Sequence, residues 1–349
     1  MFTKIKIENF KVFKSIEISD FSRINVFFGK NNCGKSTLLD ALFILTGISN
    51  PQLIMRTNQF RDYTKLKDLS YFFHNFDTEN KITLSSDGNE DQFERKASIK
   101  FSVSDKVEIA SIQQMEELSS ENKPIYNLSV NAHVKNAALH PNLVVQFLEN
   151  EEKGYFAAPV NYIEKITCNY FSPSYSFAII YEMVKKIVAQ KEEQIIVDAL
   201  KKLDPRITDF SLIGADILVD VGLKKRIPIQ LLGDGTRKFF ALVVALYSCR
   251  DGVLLVDEID NGLHYSVMAV LWKILLETAE EFNVQLYATT HNKDSLQGLE
   301  NVLSSEENMK FRKQLSLYKL IHREDDSMRV LYYNYDNFST ILQNENEIR

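Results

Sequence analysis

Cysteine is scarce. Only Cys33, Cys168 and Cys249 occur among 349 residues, too scattered for a zinc site and too few for a disulfide framework, which is the usage of a chain kept in a reducing cytosol. Long apolar runs are also missing. The longest, such as Phe239–Tyr247, fall well short of the about 20 residues a spanning helix needs, and the polar start Met1–Lys6 has no signal-peptide core. A cytoplasmic protein with no membrane contact is therefore expected. Basic charge is not in excess either: 41 Lys and Arg stand against 47 Asp and Glu, a net charge of −6, so any DNA contact must come from a local patch. No internal repeat or low-complexity tract is present. The hydrophobic fraction, 45%, is ample for a core, and the length suits one enlarged domain or two lobes rather than a peptide or a disordered chain.

What is present begins with strands. Lys4–Ile7 and Ser15–Ile18 alternate polar and apolar residues, and Ile24–Phe28 is an apolar run, interrupted only by Asn25, of the kind buried on both faces. Gly29-Lys30-Asn31-Asn32-Cys33-Gly34-Lys35-Ser36 then fits G-x-x-x-x-G-K-[ST]. It is followed by Thr37–Leu45, read as an amphipathic helix that stops at Gly47 before Pro51. A polyphosphate needs a nest of backbone N–H donors at a helix N-terminus, and Gly29 and Gly34 supply turns without side-chain bulk. Lys35 then reaches the β- and γ-phosphates and the Ser36 hydroxyl coordinates Mg²⁺.

The second half of the chain supplies acids. Gly252-Val253-Leu254-Leu255-Val256-Asp257-Glu258 reads as a buried strand ending in two carboxylates, Asp257 for Mg²⁺ and Glu258 to polarise water. Ile259–His264 follows, and a further strand, Gln285–Ala288, runs into Thr289-Thr290-His291, which places His291 where it can contact a γ-phosphate. Between these elements Leu232-Gly233-Asp234-Gly235-Thr236-Arg237 precedes a helical stretch, Lys238–Cys249. Its glycines and threonine form a second anion-binding helix start with no phosphate of its own, which suggests the nucleotide of a partner.

The ordered set Gly29–Ser36, Leu232–Arg237, Leu254–Glu258, Asp260–His264 and His291 resembles the ATP-binding-cassette (ABC) ATPases of the RecF, SMC and overcoming-lysogenization-defect (OLD) group. These segments would be Walker A, signature, Walker B, D-loop and switch histidine. The run Ile7-Glu8-Asn9-Phe10-Lys11 through Asn32 is similar to that group's approach to the nucleotide site. The resemblance implies an α/β fold: a P-loop ABC-type ATPase head with a mixed or parallel core sheet, an N-terminal antiparallel β lobe and an inserted α/β lobe. It further implies ATP and Mg²⁺ as cofactors. Gly29 through Thr37 would bind nucleotide from one side and Gly233, Asp234, Gly235, Thr236 and Arg237 from a second copy, in a homodimer or higher even oligomer. Ser36 and Asp257 would hold the metal, together with a glutamine for which Gln59 and Gln52 are both candidates. The signature departs from the family, because Gly233 stands where the wider family has serine and Thr236 where it usually has glutamine.

The middle of the chain separates subgroups. One long helix, about Ser174–Leu203 and ended by Asp204-Pro205, is the only candidate arm, so long coiled coils are excluded. Strand-like Lys81–Ser85, Ala97–Val103 and Tyr126–Val134, with a polar stretch Ser104–Lys123 between the last two, suggest an antiparallel β lobe with a helical insertion. The expected division is 1–59 with 206–349 as the ATPase core and 60–205 as the inserted lobe. Lys185-Lys186, Lys201-Lys202 and Lys224-Lys225-Arg226 are basic clusters, read as solvated faces or as DNA contacts. Strand-like Leu315–His322 and Arg329–Tyr333 lead to a short acidic helix in Asn334–Arg349. No second carboxylate cluster for metal-dependent strand cleavage follows. The chain thus resembles stand-alone ATPases of two-gene phage-defence modules, whose effector, a nuclease in the simplest case, is encoded by an adjacent gene; the alternative is a RecF-like DNA-repair scaffold.

Overall fold

The computed structural model describes residues 1–61, 68–104, 125–137, 139, 142–148, 154–156, 162–323 and 327–343. The chain forms two compact units. The first comprises Met1–Phe21, Asn31–Ile166 and Leu320–Leu331, the second Ser22–Lys30, Thr167–Lys319 and Tyr332–Arg349. One crossing between them falls inside the glycine loop, between Lys30 and Asn31.

The first unit is built on an antiparallel sheet. Strands β1 (Phe2–Phe10) and β2 (Phe13–Ile18) form a hairpin. The sheet continues from β1 through β4 (Ile82–Gly88), β5 (Arg95–Ser104), β6 (Ile125–Val134), β7 (Asn142–Leu148) and β8 (Gly154–Phe156), in the order β2-β1-β4-β5-β6-β7-β8. In β4 and in the first half of β5 buried and more exposed positions alternate, with Ile82, Leu84, Ala97 and Ile99 inward beside the buried Ser86 and Arg95, as a sheet with one solvated face requires. The expected helical insertion falls on 105–123, outside the described residues.

Two helices, α1 (Lys35–Thr46) and α2 (Leu53–Gln59), belong to the same unit. The expectation of an amphipathic helix after the glycine loop is overturned: every residue of α1 except Ser36 is buried. Its polar positions are tolerated because they are paired. Asp40, fully buried, receives Lys11 Nζ at 2.8 Å and an Arg61 guanidinium nitrogen at 2.9 Å, and Thr46 Oγ1 donates to the Phe43 carbonyl. At the helix C-terminus the buried Arg95 guanidinium donates to the carbonyls of Leu45 and Thr46 at 3.0 and 3.1 Å and pairs with Glu164 at 2.6 Å. Those carbonyls are among the four that no helix can satisfy internally.

The second unit holds β3 (Ile24–Phe28), β9 (Cys168–Phe171), β13 (Val253–Val256), β14 (Gln285–Thr290) and the first part of β15 (Leu315–His322). They pair in parallel, in the order β15-β3-β14-β13-β9. Strands covered on both faces are largely apolar, and β3, β13 and β14 are buried at every residue, including Asn25 of β3 and Gln285, Thr289 and Thr290 of β14. The helices of this unit include α3 (Phe177–Ala189), α4 (Glu193–Leu203), α5 (Asp234–Tyr247), α6 (Met268–Glu281) and α7 (Lys293–Ser304). A three-stranded antiparallel sheet, β10 (Asp209–Ile213), β11 (Asp216–Asp220) and β12 (Ile227–Pro228), precedes α5. The single long helix expected over Ser174–Leu203 is corrected to the pair α3 and α4, broken at Lys191, which takes a left-handed φ of 59°. After β16 (Met328–Tyr333) the chain ends its described part in α8 (Tyr335–Gln343).

Candidate nucleotide site

The parallel register of the second unit brings several motif residues to one sheet edge. Phe28, the last residue of β3, is level with Thr290, and Val256, the last of β13, with Ala288. Gly29, Asp257 and His291 therefore leave the same, C-terminal edge, where ligands of open parallel sheets bind. His291 is exposed.

Downstream of Lys30 the glycine loop takes the conformations its glycines allow. Gly34 caps the N-terminus of α1 at φ 86° and ψ 7°, and no side chain caps the first helical turn. A Cβ on Gly34 would lie 2.6 Å from the ring of Phe13, so a side chain is barred both by the left-handed backbone and by the β1–β2 hairpin behind the loop. Lys30, Asn31 and Asn32 are exposed, Ser36 is half-buried and Thr37 buried. Lys35 is 7% exposed and its Nζ lies 3.7 Å from Cys33 Sγ. Burial pushes the Cys33 thiol up against the opposing pull of Lys35, which leaves the lysine beside a neutral sulfur.

The acids beyond β13 are held by two consecutive threonines of β14. Thr289 Oγ1 donates to Asp257 Oδ1 at 2.6 Å and accepts the Glu258 backbone N–H at 2.8 Å. Thr290 Oγ1 donates to Asp260 Oδ1 at 2.5 Å. The Asp257 N–H donates to the Phe171 carbonyl and the Ile259 N–H to the Thr289 carbonyl. Glu258 sits at φ 49°, a region that costs a residue with a Cβ about 1–2 kcal/mol, while its side chain is half-buried with Oε2 3.4 Å from Asn261 Nδ2. His264 is exposed, its Nδ1 2.8 Å from Ser266 Oγ.

The second glycine motif also belongs to this unit. Gly233 takes φ 84° and ψ 153° ahead of α5, a backbone that a serine would hold only under strain, so the departure from the family pattern matches the local conformation. Asp234 projects into solvent and pairs with Arg237 at 3.3 Å. Gly235 and Thr236 are half-buried, and a Cβ on Gly235 would meet Leu263 at 3.8 Å. Of the two glutamines, Gln52 stands at the N-terminal end of α2 and is half-buried, while Gln59 is exposed at its C-terminal end.

Three contributors escaped the reading of the sequence. Thr289 and Thr290 looked like the end of a strand, although two hydroxyls one step behind the switch-position histidine were the available signal. Lys238 looked like one more helix residue, yet it is buried and its Nζ donates to the carbonyls of Glu258 and Asn261. The Lys11–Asp40–Arg61 cluster, completed by Thr57 Oγ1 and Asn58 Oδ1 on Lys11, had no signature at all.

With this geometry in view, comparison with known proteins is decisive. The family described as "AAA domain, putative AbiEii toxin, Type IV TA system" matches residues 24–296, from β3 into α7 and across every motif from Gly29 to His291. The chain belongs to this family. A Helicobacter pylori protein (strain ATCC 700392 / 26695) named "ATP/GTP phosphatase" is 26% identical over 380 residues, covering 100% of both chains. Two solved structures share the fold. An SMC head bound to the C-winged helix domain of ScpA has 12% identity and a TM-score of 0.51 over 95% of this chain and 97% of that one. An Smc head with an extended coiled coil, bound to the C-terminal domain of ScpA derived from Pyrococcus furiosus, has 11% identity and a TM-score of 0.50 over 99% of each. This AAA-family chain is thus an ATP hydrolase with an SMC-head-like ABC fold. No helix among the described residues is long and apolar enough to cross a membrane.

Proposed function

We propose that this AAA-family ATPase hydrolyses Mg²⁺-ATP at the Walker residues and uses the nucleotide state to control a separate effector, a nuclease in the simplest case, in defence against phage. The single observation that carries the chemistry is the Thr289 bridge between Asp257 and Glu258 at the edge where Gly29 also emerges. Mg²⁺ fits the donor chemistry. Ser36 and Asp257 offer hard oxygens, and no three His, Cys, Asp or Glu side chains converge among the described residues, so the coordination would be completed by phosphate and water, as this cation prefers. When bound, the ion neutralises charge building on the phosphates. Gly29, Lys30, Asn31, Asn32, Cys33, Gly34 and Thr37 frame the phosphates through the loop and helix start, and Lys35 pairs their β and γ oxygens. Glu258 orients and deprotonates the attacking water, and His291 senses the γ-phosphate. Gln59 or Gln52 would complete the metal's surroundings. Gly233 through Arg237 serve the nucleotide of a second copy in an even oligomer.

Support for an effector comes from the family description, which names a type IV TA system. The nucleotide state would be converted into contact with the effector, and the region expected as 60–205 would offer the surface, its described residues up to Ile166 lying in the first unit and those from Thr167 in the second. The OLD-like, phage-defence reading is tested by expressing the chain with its neighbouring gene and challenging cells. Protection lost on Lys35→Ala and on deletion of the neighbour supports it; protection that survives Lys35→Ala overturns it.

One observation favours the second reading, a RecF-like scaffold on DNA. Lys81, Lys96 and Lys100, with Ser98, Ser129, Asn131 and His133, line a groove of about 600 Å³ on the β5–β6 face of the first unit. Lys4, Lys6 and Lys135 of the same unit each meet a carboxylate, whereas these three lysines form no ion pair among the described residues, leaving their charge to a polyanion. Binding to duplex DNA that weakens steeply with salt, and is lost in the Lys96→Ala/Lys100→Ala protein, would select this reading over the first.

A further inference from the structure

The turn that carries Glu258 is closed by its own hydrogen bond, from Asn261 N–H to the Glu258 carbonyl at 3.0 Å. On one side β14 grips it through the Thr289 hydroxyl and carbonyl. On the other side Lys238 of α5 reaches it. Lys238 Nζ donates to the Glu258 carbonyl at 3.0 Å and to the Asn261 carbonyl, the first and last acceptors of the turn. The lysine is 6% exposed, and the charged groups nearest it are Asp260 and Glu258, both on the turn. A cation taken out of water at this cost is retained only if its contacts matter. Here they offset the left-handed backbone of Glu258.

We propose that Lys238 is a positioning residue for ATP hydrolysis, a strut that couples the signature helix to the conformation of the Glu258 turn and so sets where the Glu258 carboxylate points. The inference rests on the reading of Glu258 as the group that activates water. Because Lys238 sits one turn into α5, directly after Gly233–Arg237, any shift of the helix start on engaging a second copy's nucleotide is transmitted through one side chain to the turn's two carbonyls. Lys238 touches no nucleotide in this scheme, so its removal acts on turnover and leaves ATP affinity in place.

The test compares Lys238→Met, Lys238→Arg and Glu258→Gln in the full chain, with kcat and KM for ATP, radiolabelled-ATP affinity, and amide hydrogen exchange over 257–263. Losing two charge-assisted hydrogen bonds on the turn predicts that Lys238→Met lowers kcat about tenfold or more, with affinity for ATP within about threefold and faster exchange confined to the turn. Arginine, which keeps the charge and the donors, restores most of the rate. If Lys238→Met does not fold, Lys238→Gln, whose shorter amide carries no charge, takes its place in the same comparison. A near-parental kcat in the methionine or glutamine protein while Glu258→Gln is inactive overturns the strut. So does a loss carried wholly by ATP affinity. Full activity of Glu258→Gln would instead overturn the catalytic reading beneath it.

Discussion

Thr289 Oγ1 donates to Asp257 Oδ1 and accepts the N–H of Glu258, so one hydroxyl on β14 holds the Asp257 carboxylate and the Glu258 backbone together. The side chain is fully buried, which removes water as a substitute partner and makes the bridge a fixed part of the site. Replacing it with valine keeps the shape and deletes both contacts.

Thr289→Val should therefore lower kcat about tenfold or more, since each lost hydrogen bond to a charged or buried group is worth about 1–3 kcal/mol. Thr289→Ser should keep most of the rate. Steady-state ATPase assays alongside thermal melts separate this from unfolding; valine and parent turning over alike would remove the hydroxyl from the mechanism.

Gly34→Ala confronts two obstacles at once, φ 86° and a Phe13 ring carbon 2.6 Å from the new methyl. A loss of stability of about 1–3 kcal/mol and of measurable ATP binding is expected. Denaturant midpoints and nucleotide titration check both statements, and unchanged binding in this variant would contradict them.

Burial pulls Lys238 down to about 8 from 10.5, against the opposing pulls of Asp260 and Glu258. Between those two values the unfolded chain binds more protons than the folded one, so this group's contribution to stability rises with pH from about 8 to 10.5 and is lost as pH falls through 8. The stability gap between parent and Lys238→Met should accordingly move in the parent's favour as pH goes from 7.5 to 9.5. Urea midpoints at three pH values read it, and a gap that is constant with pH would count against a buried, titrating ammonium.

The legible parts of this molecule are those whose physics is local. Ile24–Phe28, apolar but for Asn25, reads as a strand buried on both faces and lies on β3 without a shift of boundary, and Gly34 takes a left-handed backbone that its residue type permits. The break at Lys191 was hidden because Gln190-Lys191-Glu192 contains neither glycine nor proline, and a lysine at φ 59° has no sequence mark. Asp40 was hidden for a different reason. A polar residue on a helix reads as solvent-facing until its partners, Lys11 and Arg61, are brought up from 29 and 21 residues away. Lys238 and Thr289 belong to the same class, since their roles exist only once α5, the Glu258 turn and β14 are packed together.

The most direct test of the central claim is ATP turnover and nucleotide retention by Glu258→Gln. Glutamine keeps the size of the side chain and the Thr289 contact to the backbone but cannot take a proton. The protein should bind radiolabelled ATP as the parent does, hydrolyse it about 10²-fold or more slowly, and accumulate as an ATP-bound dimer on a sizing column. Parental turnover in that variant would contradict the account.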